Sequence, residues 1–274
     1  MAFTLAVAGK GGIGKTTLAA LLIQTLIERG DRPVLAVDAD PNPNLGYALG
    51  FLAQKTISEL RDELLEHIRK LPPGVTKDDY LELGIHECLW EGQGVDLLVM
   101  GAGEGPRCYC AVNSVLRRCI DRLRGAYPYV MMDNEAGLEH LSRCTSQDVD
   151  VLLIISNGLP VSLQAAFRIH ELTERLPLRI GRRYLVLNDV EGADAARIEA
   201  KAQQMGLELL GVVPPDSRLR QLSRDGEPLT HLPADSGARR AVREILEAAL
   251  SQTAPSRQSV EALAVGADSR AMKP

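Results

Sequence analysis

The feature that most narrows what this chain can fold into is the run Gly9-Lys10-Gly11-Gly12-Ile13-Gly14-Lys15-Thr16. It follows an apolar stretch at 3–8 and opens a helical pattern at 16–29. The spacing is G-x-x-x-x-G-K-[S/T], and strand, glycine-rich turn and helix in that order are the setting in which such a run cradles phosphate. Gly9, Gly11, Gly12, Ile13 and Gly14 let successive backbone N–H groups converge on phosphate oxygens, while the helix N-terminus adds partial positive charge. Lys15 is then placed for β- and γ-phosphates and the Thr16 hydroxyl for Mg²⁺, with Thr17 beside them in the first helical turn.

The rest of the chain repeats the alternation that the loop begins. Apolar runs at 33–37, 95–100, 129–132, 151–155, 183–187 and 209–213 read as strands, with helical spacing at 57–70, 114–124, 163–174, 193–204 and 239–250. The strands are apolar throughout rather than alternating, as parallel strands covered on both faces should be. The pattern predicts an α/β fold: a doubly wound, mostly parallel β-sheet P-loop NTPase with helices on both faces. The 274 residues, 45% of them hydrophobic, suffice for a sizeable core. Residues 1–250 are expected to form a single domain, with 46–94 as a surface excursion and 251–274 as a flexible tail.

Lys10 points to a family. A loop beginning K-G-G-x-G-K-T resembles the deviant Walker A motif of the MinD/ParA/nitrogenase iron-protein class. That resemblance implies a dimer sandwiching two ATP molecules, with Lys10 reaching across to the partner's nucleotide as a catalytic residue alongside Lys15.

Three strand-end carboxylates follow. In Leu35-Ala36-Val37-Asp38-Ala39-Asp40-Pro41 an apolar strand ends in two acids, and such ends face the ligand crevice of an open α/β sheet. Asp38 is expected to hold Mg²⁺ through water and Asp40 to orient or deprotonate the attacking water, roles that the resemblance also implies. Tyr129-Val130-Met131-Met132-Asp133 looks like a Walker B strand, whose Asp supports the Mg²⁺ shell. Beyond it, Gly137 would let a switch segment move and His140 would either cap a helix or relay the nucleotide state. The resemblance places Asn188 beside the base, and Pro214, with the stretch to Asp216, is expected to complete the base pocket. The N-K-x-D guanine signature is absent at Asn188-Asp189-Val190-Glu191, which favours ATP over GTP.

Composition excludes several classes. The net charge is −5 and aromatic residues are 4% with one Trp, so neither a basic nucleic-acid footprint nor a base-stacking platform is expected. No apolar run reaches 18 residues, the tail lacks the pattern of a membrane-surface helix, and the start lacks a basic n-region and long h-region. These readings predict a cytoplasmic protein with neither membrane nor nucleic-acid partner. Reduced thiols are the rule there, so the five cysteines read as packing, reactive or metal-binding residues.

Cys108-Tyr109-Cys110 stands apart from the isolated Cys88, Cys119 and Cys144, which read as packing residues. Two thiolates one residue apart can bind one soft or borderline ion but supply half a tetrahedral site. A two-fold axis near Cys108 and Cys110 would bring four thiolates together from two chains and hold Ni²⁺ or Zn²⁺. With the phosphate loop, V-D-A-D-P, and Asp133-Asn134-Glu135-Ala136-Gly137-Leu138-Glu139-His140, this pair resembles the CooC-type nickel-insertion ATPases over residues 1–250. Cys144 and Asn134 depart from that pattern. The resemblance implies an ATP-hydrolysing, ATP-dependent homodimeric metallochaperone that assists nickel insertion into carbon monoxide dehydrogenase or a related client metalloenzyme. Two other readings compete: a ParA/MinD-like positioning ATPase with no metal role, and an iron-protein-like electron donor.

Overall fold

The protein is described by a computed structural model covering residues 2–51, 55–67, 74, 76–102, 118, 120–135, 148–175 and 179–251. The strands are β1 (Phe3–Gly9), β2 (Val34–Asp38), β3 (Leu89–Glu91), β4 (Val95–Val99), β5 (Tyr129–Asp133), β6 (Val149–Ser156), β7 (Ile180–Asn188) and β8 (Leu209–Val213). The helices are α1 (Lys15–Arg29), α2 (Leu45–Leu49), α3 (Ile57–His67), α4 (Lys77–Cys88), α5 (Pro160–Thr173), α6 (Gly192–Gln204), α7 (Ser217–Asp225) and α8 (Gly237–Ser251), with a 3₁₀ turn at Leu229–His231.

The eight strands form one sheet in the order β3-β4-β2-β5-β1-β6-β7-β8. All pairs are parallel except β3 with β4. Because side chains alternate across a strand, each strand feeds two cores. Ala6, Ala8, Leu35, Val37, Val130, Met132, Leu152 and Ile154 face α3, α4, α5 and α6. Leu5, Val7, Val34, Ala36, Met131, Val151 and Leu153 face α1, α2, α7 and α8. Burial on both faces accounts for the unbroken apolar runs.

Two consequences position the site. Parallel pairing puts the carboxyl ends of β1, β2, β5, β6, β7 and β8 on one edge, with Asp38 in register with Asp133 and Asn188 with Val213. From β1 the chain also winds outward through β2 and β4 to one side, then through β6, β7 and β8 to the other. The crevice at such a switch point is where open α/β sheets bind ligands, and the loop at Gly9–Gly14 opens there.

The predicted strands are recovered with small shifts at their ends. The expected helix at 114–124 is helical at 118 and 120–124, and its remainder lies outside the described residues. Within 46–94 the chain builds α2, α3, α4 and β3, and Leu60, Leu64, Leu81 and Ile85 are buried against the sheet. Cys88 is buried there too. Its thiol donates to the Thr56 carbonyl at 3.5 Å, and burial pushes its pKa up to about 12, consistent with a packing residue. Among the described residues no helix is long and apolar enough to cross a membrane.

Candidate functional site

The phosphate loop is built around close approaches that exclude side chains. A Cβ on Gly9 would stand 2.7 Å from the Ile155 carbonyl oxygen of β6. Gly14, at φ 89°, caps α1, and a Cβ there would stand 2.4 Å from Asn188 Nδ2. That closeness has a purpose: Asn188 Nδ2 donates to the Ile13 carbonyl at 2.8 Å, tying β7 to the loop. Gly14→Ala should therefore cost about 1–3 kcal/mol in backbone strain, displace Asn188 and weaken nucleotide binding at least tenfold. A thermal melt with a nucleotide titration checks it, and a variant with wild-type midpoint and affinity refutes it.

Lys15 is 8% exposed, and among the described residues its ammonium donates to the Lys10 carbonyl alone, at a long 3.4 Å. Lys10 itself is exposed. Its side chain borders an apolar cavity of about 670 Å³ between the loop and α5, lined by Val161, Ile169 and Leu172 among others.

The carboxylates divide sharply. Asp38 is wholly buried, and its oxygens accept from three backbone N–H groups: Asp40 at 3.2 Å, Asn44 at 2.9 Å and Leu45 at 2.9 Å. Desolvation raises its pKa to about 6 against those three bonds. Asp40 accepts from its own turn, at Asn42 N–H, 2.9 Å away. Asp133 is 1% exposed, and neither of its oxygens has a well-aligned hydrogen-bond partner among the described residues. Burial pushes its pKa up to about 7; the Thr16 hydroxyl opposes the rise, the Asp38 charge adds to it, and Lys15 opposes it. Asn134, next in the chain, is buried and donates from both its backbone and its amide to Val7, pinning the exit of β5 to β1.

A buried, unpartnered carboxylate facing a hydroxyl, with a lysine and two more carboxylates nearby, fits a hard divalent cation: oxygen donors and unneutralised negative charge are what Mg²⁺ requires. Such an ion would be held between Thr16 and Asp133 and would neutralise phosphate charge.

Beyond the loop lies a second cavity of about 280 Å³, lined by residues that include Ile13, Thr17, Asn157, Asn188, Pro214 and Asp216. Asp216 also caps α7, accepting from Leu219 N–H at 3.0 Å. Asn157 and Arg220 line this cavity as well and were not foreseen. The signal that could have found Asn157 is its place directly after an apolar strand at the same edge as Asn188. Cys108, Cys110, Cys119, Gly137, His140 and Cys144 lie outside the described residues.

A phosphate loop at the switch point of a parallel sheet, with a buried strand-end carboxylate and a polar cavity beside it, defines a P-loop nucleotide-binding protein. The chain belongs to the CobQ/CobB/MinD/ParA nucleotide binding domain family, whose model matches residues 4–229. It is an ATPase of this MinD/ParA class. Over 245 residues it is 41% identical to an uncharacterized ATP-binding protein of Methanocaldococcus jannaschii, covering 89% of this chain and 96% of that protein. It is 30% identical over 240 residues to the carbon monoxide dehydrogenase accessory protein CooC of Rhodospirillum rubrum, covering 81% of this chain and 87% of that protein. The fold is similar to that of the MinD cell division protein of Aquifex aeolicus, with a TM-score of 0.65 at 21% identity over 93% of this chain and 99% of that one.

Proposed function

We propose that the chain is an ATP-driven, homodimeric metallochaperone of the CooC kind, carrying Ni²⁺ or Zn²⁺ on Cys108 and Cys110 to a client metalloenzyme such as carbon monoxide dehydrogenase. The observation that carries this reading is the C-x-C pair in a chain 30% identical to a carbon monoxide dehydrogenase accessory protein. The described geometry supports a link to nucleotide. The strand leading toward the pair, β4, lies beside β2, and Met100 N–H donates to the Asp38 carbonyl at 2.8 Å. The end of strand β4, followed by Met100, thus lies on the edge where the phosphate loop opens.

Within this reading the residues have distinct tasks. Backbone N–H groups of Gly11–Thr16 cradle the phosphates and Lys15 neutralises β- and γ-oxygens. Thr16 and Asp133 hold Mg²⁺, which supplies charge neutralisation on the transferring phosphoryl group. Asp38, with its oxygens engaged by backbone, orders the 40–45 loop, leaving Asp40 to position the attacking water and accept its proton as the terminal P–O bond breaks. Exposed Lys10 reaches toward the partner chain's nucleotide. Asn188, its Nδ2 occupied by Ile13, offers Oδ1 to the adenine amino group, with Pro214 against the base.

Replacing Cys108→Ser and Cys110→Ser together should abolish stoichiometric nickel and zinc uptake while leaving nucleotide affinity within about twofold. Equilibrium dialysis with ADP or a non-hydrolysable ATP analogue, together with mass in solution, reads the result. Unchanged metal uptake overturns the proposal. So does a wild-type protein that takes up no metal but binds DNA or vesicles in a salt-dependent way, as a positioning ATPase would.

A further inference from the structure

The cavity beside the phosphate loop contains an acidic residue that the nucleotide reading leaves without a task. Asp189 follows Asn188 directly, lines the same cavity, and at φ 63° is the single non-glycine with positive φ among the described residues. Asp is one of the few residue types that tolerate this conformation, and such outliers persist where surrounding structure holds them. Here the hold is double. Its N–H donates to the Val213 carbonyl of β8 at 2.9 Å, and its carboxylate is ion-paired to Arg220 of α7, which lines the cavity too.

Base edges give the pair a meaning. Adenine offers an amino donor and a ring-nitrogen acceptor on its pairing edge, whereas guanine offers an oxygen acceptor followed by two N–H donors. Asn188 Oδ1 suits the adenine amino group. An unpaired carboxylate one residue away suits the opposite base, because it would accept from the two guanine N–H groups and repel the adenine ring nitrogen. Arg220 counters that attraction by pairing with Oδ1 of the half-exposed Asp189 carboxylate and neutralising its charge.

We propose that Arg220 is a specificity-determining residue that closes the base cavity to guanine by sequestering the Asp189 carboxylate. The inference rests on the reading that this cavity takes the base.

The test uses the full chain with Mg²⁺ and the β,γ-imido analogues of ATP and GTP, titrated calorimetrically. Arg220→Ala should shift the ratio of affinities toward the guanine analogue by about tenfold or more, the effect of one charge-assisted hydrogen bond. Arg220→Lys should stay near wild type. Asp189→Asn, which keeps the tolerated backbone conformation, should abolish the shift when combined with Arg220→Ala. A ratio within twofold of wild type in Arg220→Ala overturns the proposal, as does a double variant that keeps the shifted ratio, since Arg220 would then act only on structure. Asn188→Ala separates the two layers. If it weakens the adenine analogue while Arg220→Ala leaves the ratio unmoved, the specificity role alone fails. If neither variant alters either affinity while Lys15→Ala does, the cavity does not hold the base and both readings fall.

Discussion

Asp133→Asn should raise the thermal midpoint of the nucleotide-free protein and, at the same time, lower Mg²⁺-dependent ATP hydrolysis by about 100-fold or more. Both effects come from one fact: a carboxylate buried at the end of β5 with no well-aligned hydrogen-bond partner among the described residues. Burial pushes its pKa from 3.8 to about 7. Between those values the folded protein binds more protons than the unfolded chain, so the stability of the nucleotide-free protein falls as pH rises through this window. Above pH 7 the ionised group costs on the order of 4 kcal/mol, which the amide removes. Asp38, raised to about 6, contributes in the same direction and remains in the variant. Cation affinity has the opposite slope, since protonation of Asp133 competes with Mg²⁺, and binding should strengthen as pH rises through 7. Melts at pH 5.5 and 8 with a Mg²⁺ titration check both halves. A variant no more stable than wild type at pH 8, with unaltered phosphate release, refutes the assignment.

Lys15→Ala should reduce phosphate release by about 100- to 1000-fold while changing the stability of the nucleotide-free protein little. Lys15 is nearly buried, yet among the described residues its ammonium has one hydrogen bond, the long contact to the Lys10 carbonyl. Little that holds the fold together is lost on truncation, whereas the phosphates lose the charge that compensates them. Lys15→Met, which keeps the apolar stem, should behave alike if the charge is what matters. An unchanged rate of phosphate release in either variant contradicts the role.

How far the sequence could be read follows from where information is local. The phosphate loop is eight consecutive residues whose order carries the geometry, and parallel strands betray themselves by apolar runs. By contrast, β3 is three residues of an antiparallel edge, too short for any period to register. Helix α4 opens with a Thr76–Asp79 capping box, a signal present in the sequence but set among charged residues that mask the helical period. Helix α7 is nine mostly charged and polar residues that bury Leu222, too short to stand out as a helix in the sequence, although it supplies Arg220 to the cavity. The cavity gathers side chains from 13 to 224, a meeting that only the sheet order creates. Asp38 shows the other limit: its strand-end position is legible, but the return of 40–45 onto its oxygens is not.

That return has a consequence for how the molecule can respond. The 40–45 loop is fastened to a rigid sheet through one carboxylate, with three amide hydrogens as its attachments. Residues 40–44 are exposed or half-buried while Leu45 sits in the core, so opening the Asp40 and Asn44 attachments exposes mainly polar groups and belongs to the low-energy end of the protein's local unfolding spectrum. Protonation of Asp38, or a cation drawing its charge away, weakens all three attachments together. The stretch 40–44 can thereby let go up to Leu45 while the sheet that carries it stays intact.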